Sequence, residues 1–271
     1  MTGQATPDDR WQLMELFDLC FPGEPGFTAW FFDRVWRPEH TLVQREQGRI
    51  AAMLQLLPVT LQQGERRLGA EYVYAVGTRP ESRGLGLAGG LLRRAEQAAG
   101  RGSACLLLIP QEPSLFAYYA RFGYRTAFSL QEETALPAGL CLRPACAEDL
   151  PALTRLYRTA MGERTFVERD ARAFGRQLEL YGANALVLQD ARGALTACGF
   201  AEQQGTGLRF AEVLGADAPR LAAAALHQRG LAQGTWRRPG PGRPFAMAKP
   251  LTDEAESLLQ GEEAYCNLLF N

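Results

Sequence analysis

Glu71–Gly90, EYVYAVGTRPESRGLGLAGG, holds the residues whose types and spacing are most able to do chemistry. Tyr72, Val73, Tyr74 and Val76 are β-branched or aromatic and predict a half-buried strand. Thr78-Arg79-Pro80 should stop it, because proline brings no donor to a sheet ladder. Arg83-Gly84-Leu85-Gly86-Leu87-Ala88 then opens an apolar helical pattern that runs on through Leu91, Leu92 and Ala95. Glycines there let the backbone approach a ligand, and the first N–H groups of a helix have no partners within it. Strand, glycine loop and helix start together make a seat for a phosphate or pyrophosphate.

The elements that must position this seat are well signposted. Thr6-Pro7-Asp8-Asp9 predicts a helix start, and Leu13, Leu16, Phe17 and Cys20 share one face of that helix. A short aromatic helix carrying Trp30, Phe31, Val35 and Trp36 follows the break at Phe21–Gly26. Thr41–Arg45 and Ile50–Val59 predict strands joined across Gln47-Gly48, and a turn at Gln62–Glu65 leads into the strand ending at Thr78. After the helix Leu87–Ala99, the apolar run Ala104–Ile109 predicts a buried strand parallel to the one before the loop. A helix from Pro113-Ser114 to Gly123 and one or two closing strands over Tyr124–Leu136 complete a first domain, with a boundary at Pro137-Ala138-Gly139.

The pattern then starts again. Ala147–Leu153 parallels the opening, Ala185–Gln189 and Leu195–Ala201 repeat the hairpin, Arg209–Leu214 stands where the strand before the loop would be, and a helix over Ala218–Gln228 follows. Gly215-Ala216-Asp217-Ala218-Pro219 replaces the arginine-glycine loop. The reading is a duplicated α/β architecture over 1–138 and 139–250 whose second copy has lost its phosphate cradle, followed by a tail, 251–271. That tail ends in the apolar AYCNLLFN and is expected to be docked.

Composition narrows the partners. The chain has 271 residues, 46% of them hydrophobic, and a net charge of −1, so no global attraction to nucleic acid or an anionic membrane is expected. Six scattered cysteines form no CxxC pair, and with two histidines no metal site is expected. No apolar run approaches the length of a membrane span, and Met1–Arg10 lacks the apolar core of a signal peptide, which points to a reduced, cytoplasmic protein.

Two chemistries compete for the loop. Gly84-Leu85-Gly86-Leu87-Ala88-Gly89 matches GxGxxG, the dinucleotide fingerprint, with Glu112 placed to pose as the ribose-binding acid. The fingerprint turns directly from the first strand of a βαβ unit, whereas Arg79–Arg83 intervene here after an antiparallel meander. Val76-Gly77-Thr78, Pro80, Arg83–Ala88 and the downstream Tyr118-Tyr119-Ala120-Arg121-Phe122-Gly123-Tyr124 instead resemble the GNAT superfamily of acetyl-CoA-dependent N-acetyltransferases. The resemblance covers about residues 5 to 136 and implies two GNAT-like domains, each a mixed central sheet flanked by helices, the second degenerate.

It implies acetyl-CoA as acyl donor. Backbone groups of Val76, Gly77 and Thr78 would pair with the pantetheine arm, and Arg83, Gly84, Leu85, Gly86, Leu87 and Ala88 would offer N–H groups to the pyrophosphate. Tyr119, four residues before Gly123, would protonate the departing thiolate, and the ordinary tyrosine pKa near 10 keeps it protonated for that role. Many members carry an asparagine early in this helix, where this chain has Pro113-Ser114-Leu115-Phe116. For the general base there are two candidates. Glu71 is on the same strand. A complete GNAT domain followed by a degenerate one is also similar to the tandem, enhanced-intracellular-survival type, whose C-terminal carboxylate serves as base, which puts forward the carboxylate of Asn271. That type carries a third, sterol-carrier-like domain with no counterpart after Pro250. The acceptor, an amine of a small molecule or peptide, is expected near Glu24, Phe27, Trp30 and Asp33, since aromatic faces and carboxylates suit a cation. The alternative from another class is a non-catalytic acyl-CoA-binding or regulatory module.

Overall fold

Thr6 and Asp9 close a reciprocal capping box, with the Asp9 carboxylate accepting from the Thr6 amide at 2.7 Å. Cys146 and Asp149 form the same box further along the chain. The computed structural model describes residues 2–23, 25–99, 102–135, 142–260 and 264–267. In chain order the elements are β1 (Thr2–Gln4), α1 (Arg10–Cys20), α2 (Phe27–Arg34), β2 (Thr41–Glu46), β3 (Arg49–Gln63) and β4 (Arg66–Thr78). Then come α3 (Leu87–Ala99), β5 (Cys105–Leu108), α4 (Ser114–Ala120), β6 (Arg125–Ala135), β7 (Arg143–Pro144), α5 (Leu150–Met161), β8 (Thr165–Val167) and α6 (Ala171–Tyr181). The chain ends with β9 (Ala185–Gln189), β10 (Leu195–Gln204), β11 (Gly207–Gly215), α7 (Ala218–Gln228), β12 (Gly234–Pro239), β13 (Arg243–Pro250), α8 (Asp253–Leu258) and β14 (Ala264–Tyr265). The turn at Gln47-Gly48 has φ of 49° and 81°, the left-handed pair that a tight hairpin needs.

Two units divide these elements. The first comprises Met1–Thr60, Leu68–Thr126 and Ala246–Ser257; the second comprises Leu61–Arg67, Ala127–Phe245 and Leu258–Asn271. The boundaries expected at 138/139 and 250/251 do not coincide with them. In the first unit the strand order is β1-β2-β3-β4-β5-β13, with β4 and β5 parallel and β13 antiparallel to β5. Its core gathers Leu54, Val73, Leu91, Leu92, Leu106, Leu108, Tyr119, Tyr124 and Met247. In the second the order is β6-β12-β11-β10-β9-β7, with β11 and β12 parallel and β6 antiparallel to β12. Its core centres on Phe210, Val213, Leu221, Ala225, Leu226 and Trp236.

The strand over Tyr124–Leu136, expected to close the first half, is a correction. From Ala127 it belongs to the second unit, where Leu130–Ala135 pair with β12, and the first unit is completed from far along the chain by Met247–Pro250 of β13. Ala246, Met247 and Ala248 are all buried, as a strand covered on both faces requires.

The candidate acyl-donor cleft

The sheet of the first unit opens where β4 meets the glycine loop. Parallel pairing with β5 is confined to Ala70–Tyr72 opposite Cys105–Leu107, and β4 then runs on to Thr78 without it. Ala75 has φ 50°, a left-handed value that costs a non-glycine residue about 1–2 kcal/mol and breaks the extended run of β4 at the mouth of this opening. Sequence patterning missed this kink, because an alanine in a strand gives no signal for it.

The loop that follows is clamped at its base and open at its tip. Arg79 is buried; its Nε donates to the Ile50 carbonyl at 2.8 Å and its Nη2 to Glu15 at 2.8 Å. Ser82, also buried, donates to Glu46 at 2.8 Å. Arg83, Gly84, Leu85 and Gly86 are exposed, with Leu85 64% exposed. Gly84 and Gly86 have φ of 80° and 77°, so a side chain at either would be strained. The Gly90 amide donates to the Gly86 carbonyl at 2.9 Å, and the amides ahead of it, from Leu87 to Gly89, open α3 with no residue four places earlier inside the helix to accept from them. Amides without helix partners beside an exposed glycine tip are what an anion seat requires.

Gly77 and Thr78 have local work of their own. A Cβ on Gly77 would lie 3.1 Å from the Cys20 sulfur, so this glycine lets the end of α1 approach β4. The Thr78 carbonyl accepts from the Cys20 thiol at 3.5 Å and from Arg83 Nε at 3.3 Å. Burial pushes the Cys20 thiol up, against the pull of Arg83. Val76 is half-buried and packs at the edge of the first core.

Tyr119 lies in that same core, 9% exposed, its ring edge-on to Tyr118 at 5.2 Å and to Tyr124 at 6.0 Å. Burial, reinforced by Tyr118, pushes its hydroxyl up to about 12, which keeps it protonated. Tyr118 is half-buried and carries Arg121 over its face at 4.8 Å. The Tyr124 hydroxyl is buried without a hydrogen-bond partner, and burial raises its pKa further. A Cβ on Gly89 would sit 2.9 Å from the Phe122 ring, so this glycine is what lets α3 seat its first turn against the end of α4. Gly90 has open space at that position and is merely tolerated.

The residues put forward as base and acceptor are placed less uniformly. Glu71 pairs with Leu106 inside the short parallel ladder, and its Oε1 accepts from Ser103 at 3.0 Å. Val76 is five positions further along the strand, about 16 Å at ~3.3 Å each. Burial raises its pKa, partly offset by Ser103, and its Oε2 has no partner. Phe27 and Trp30 are half-buried and stack at 5.8 Å within an aromatic cluster that includes Phe17, Phe31 and Tyr74. Tyr74 follows Val73 on β4, so the two point to opposite faces, one toward the aromatic cluster and the other into the core that holds Tyr119. Asp33 is exposed and ion-paired with Arg10. Glu24 and Asn271 lie outside the described residues. Among the described residues no cluster of three or more histidine, cysteine or acidic side chains could hold a metal, and no helix is long and apolar enough to cross a membrane.

Residues 3–127 match the family model described as an acetyltransferase (GNAT) domain. No curated protein matches the chain. Among solved structures, it resembles a conserved protein of unknown function from Enterococcus faecalis V583, a probable N-acyltransferase, at 13% identity and a TM-score of 0.75, covering 93% of this chain and 72% of that one. A GCN5-related N-acetyltransferase from Anabaena variabilis is similar at 18% identity and a TM-score of 0.71, over 93% and 73% of the two chains. Eis1 from Mycobacterium abscessus is similar at 16% identity and 0.63, over 97% and 69%. At these identities the likeness is one of fold: an α/β GNAT-like fold with a mixed central sheet flanked by helices, as the sequence led us to expect.

Proposed function

We propose that this chain, whose residues 3–127 match a GNAT acetyltransferase domain model, transfers acetyl from acetyl-CoA directly to an amine of a small molecule or peptide. The observation that carries the reading is the loop Arg83–Ala88: clamped through Arg79 and Ser82, exposed at its tip, and opening α3 beside a strand that has parted from its parallel neighbour. That arrangement suits a pyrophosphate on the α3 amides and an extended pantetheine along the end of β4. The Thr78 carbonyl is already engaged, which leaves Val76 and the remaining amides of this run as the groups that would hold the arm. Tyr119 would deliver the proton that the departing thiolate takes up, with the thioester carbonyl polarised by backbone amides at the kink. The terminal carboxylate of Asn271 is our candidate base. Glu71 is the second, disfavoured by its position in the closed part of the ladder. Phe27 and Trp30 would present aromatic faces to a cationic acceptor.

The second unit reads as a degenerate copy. Its parallel ladder is again three pairs long, Leu208–Phe210 opposite Gly234–Trp236, before β11 runs on without β12 and paired only with β10. Where the first unit has exposed glycines, α7 begins behind Asp217, whose side chain is held by Thr196 and Arg220 and stays well ionised. A carboxylate at that helix start opposes a pyrophosphate. One experiment tests the proposal: free-thiol release from acetyl-CoA against a panel of polyamines, aminoglycosides and peptides, beside a titration of acetyl-CoA binding. Turnover with one class of amine is the expected result. Binding without turnover for any amine would replace it with the non-catalytic acyl-CoA-binding module, and no binding at all would remove both.

A further inference from the structure

The second unit holds a cleft that the proposed acyl transfer does not use. β11 and β12 pair in parallel only as far as Phe210 opposite Trp236, and among the described residues no ladder joins them beyond that point. β12 then turns through residues 240–242 directly into β13, so no helix follows it as α4 follows β5 in the first unit. The opening is a cavity of about 1130 Å³ bounded by α5, the β9–β10 turn, the end of β11, the start of α7 and β12. Every residue that lines it belongs to the second unit. Small-molecule sites usually span ~300–1,000 Å³, so there is room for a ligand of ordinary size.

Leu156, Val213, Leu214 and Trp236 give the cleft an apolar surface. Its charges are unevenly matched. The β6–β12 register sets Glu133 opposite Trp236, and Arg238, two residues on, shares the Trp236 face. Arg238 Nη2 meets Glu133 Oε1 at 2.5 Å, and the guanidinium lies 5.9 Å over the Trp236 ring. Arg238 Nε is buried with no acceptor among the described residues, a condition that calls for one. Arg155, exposed on α5, makes no ion pair or hydrogen bond among the described residues. The acids of the lining do not answer it. Asp149 is taken by Arg143 through bonds of 2.7 and 2.8 Å, and Glu133 by Arg238. Glu148 stands seven residues before Arg155, two helical turns or about 10 Å, a separation that physiological salt screens.

We propose that this cleft binds a small organic carboxylate with an apolar body, an aliphatic or aromatic acid. Arg155 and Arg238 take the carboxylate, whose two oxygens match guanidinium N–H groups, and the body lies against Leu156, Leu214 and Trp236. A phosphate ester suits the cleft less well. α7 opens behind Asp217, which is ionised, paired with Arg220 at 3.0 Å and set between two residues of the lining, Ala216 and Ala218. No residue of the Arg83–Ala88 loop lines the cleft, so the acid binds without displacing acetyl-CoA.

Calorimetric titration of the full chain with hexanoate and 3-phenylpropionate, each beside its neutral amide, tests the proposal. At least one acid should bind, its amide about tenfold more weakly or worse, with new hydrogen-exchange protection in residues 155–160 and 213–219. Arg155→Gln and Arg238→Gln should each weaken the acid about tenfold and leave the amide and acetyl-CoA unaffected. Arg155 is exposed, so its variant keeps the fold and carries the test by itself if Arg238→Gln unfolds. Four results overturn the proposal: neither acid binds up to about 10 mM, acid and amide bind alike, Arg155→Gln binds the acid as the wild type does, or acetyl-CoA displaces the acid.

Discussion

Gly89 and Gly90 are adjacent in α3, and alanine should act in opposite directions at the two. In a helix interior the exchange of glycine for alanine is worth about 1 kcal/mol in favour of alanine. At Gly90 a Cβ meets nothing within 4 Å, so Gly90→Ala should collect most of that. A gain of ~1 kcal/mol corresponds to a rise of about 2–4 °C in a chain of this size. At Gly89 the same Cβ lies 2.9 Å from Phe122 Cζ and 3.1 Å from Cε1, well inside van der Waals contact. The ring cannot simply swing away, because Tyr118 packs against it at 5.2 Å and Arg93 lies over it at 5.9 Å. Overpacking of this kind costs about 1–3 kcal/mol, which leaves Gly89→Ala between neutral and ~2 kcal/mol destabilised after the helix gain. The displaced Phe122 is on the same segment as Tyr119, so Gly89→Ala should also lower kcat while Gly90→Ala does not. Thermal and urea unfolding of the two variants, followed by the thiol-release assay, measure both effects. A Gly89→Ala protein as stable and as active as Gly90→Ala would refute the packing argument.

Other consequences follow from the same geometry. Tyr119→Phe should depress kcat at least tenfold while leaving acetyl-CoA affinity intact; full turnover would remove the tyrosine from the acid role. Since burial holds that hydroxyl at about 12, the wild-type alkaline limb should show no loss of an acid with the ordinary tyrosine pKa near 10. Arg79→Ala removes the partner of the Ile50 carbonyl and the clamp on the loop, and should cost about 1–3 kcal/mol by denaturant titration together with weakened acetyl-CoA binding. Unaltered binding would show that the loop keeps its shape without that anchor. For Glu71, burial places the folded pKa above the unfolded 4.5, so the wild type gains stability as pH falls through the folded value toward 4.5, and loses it as pH rises again. Glu71→Gln should flatten that part of the stability profile, and a profile that keeps its slope would deny the shift. Loss of turnover in this variant with acetyl-CoA binding intact would transfer the base role from Asn271 to Glu71.

Much of this protein is local and was legible in order. The capping residues at Thr6 and Asp9, the hairpin glycine at Gly48, the apolar run ending at Leu108 and the glycine loop before Leu87 each act within a few residues of themselves, so residue type alone specifies them. The same holds for the strands at Ala185–Gln189, Leu195–Gln204 and Gly207–Gly215, which carry their own patterns. What the sequence could not decide is which edge a strand joins. The pattern of β6 is equally good beside either unit, and β13 reads as an unassigned apolar stretch until β5 offers it an edge. Nor could it reveal the kink at Ala75, the reason for Gly89, or the buried pair of Arg169 and Glu212 that takes Tyr265 from more than fifty residues beyond Glu212. Periodicity reports which face of an element is apolar; which partner covers that face, and which buried polar group waits for a distant donor, is decided only when the chain closes on itself.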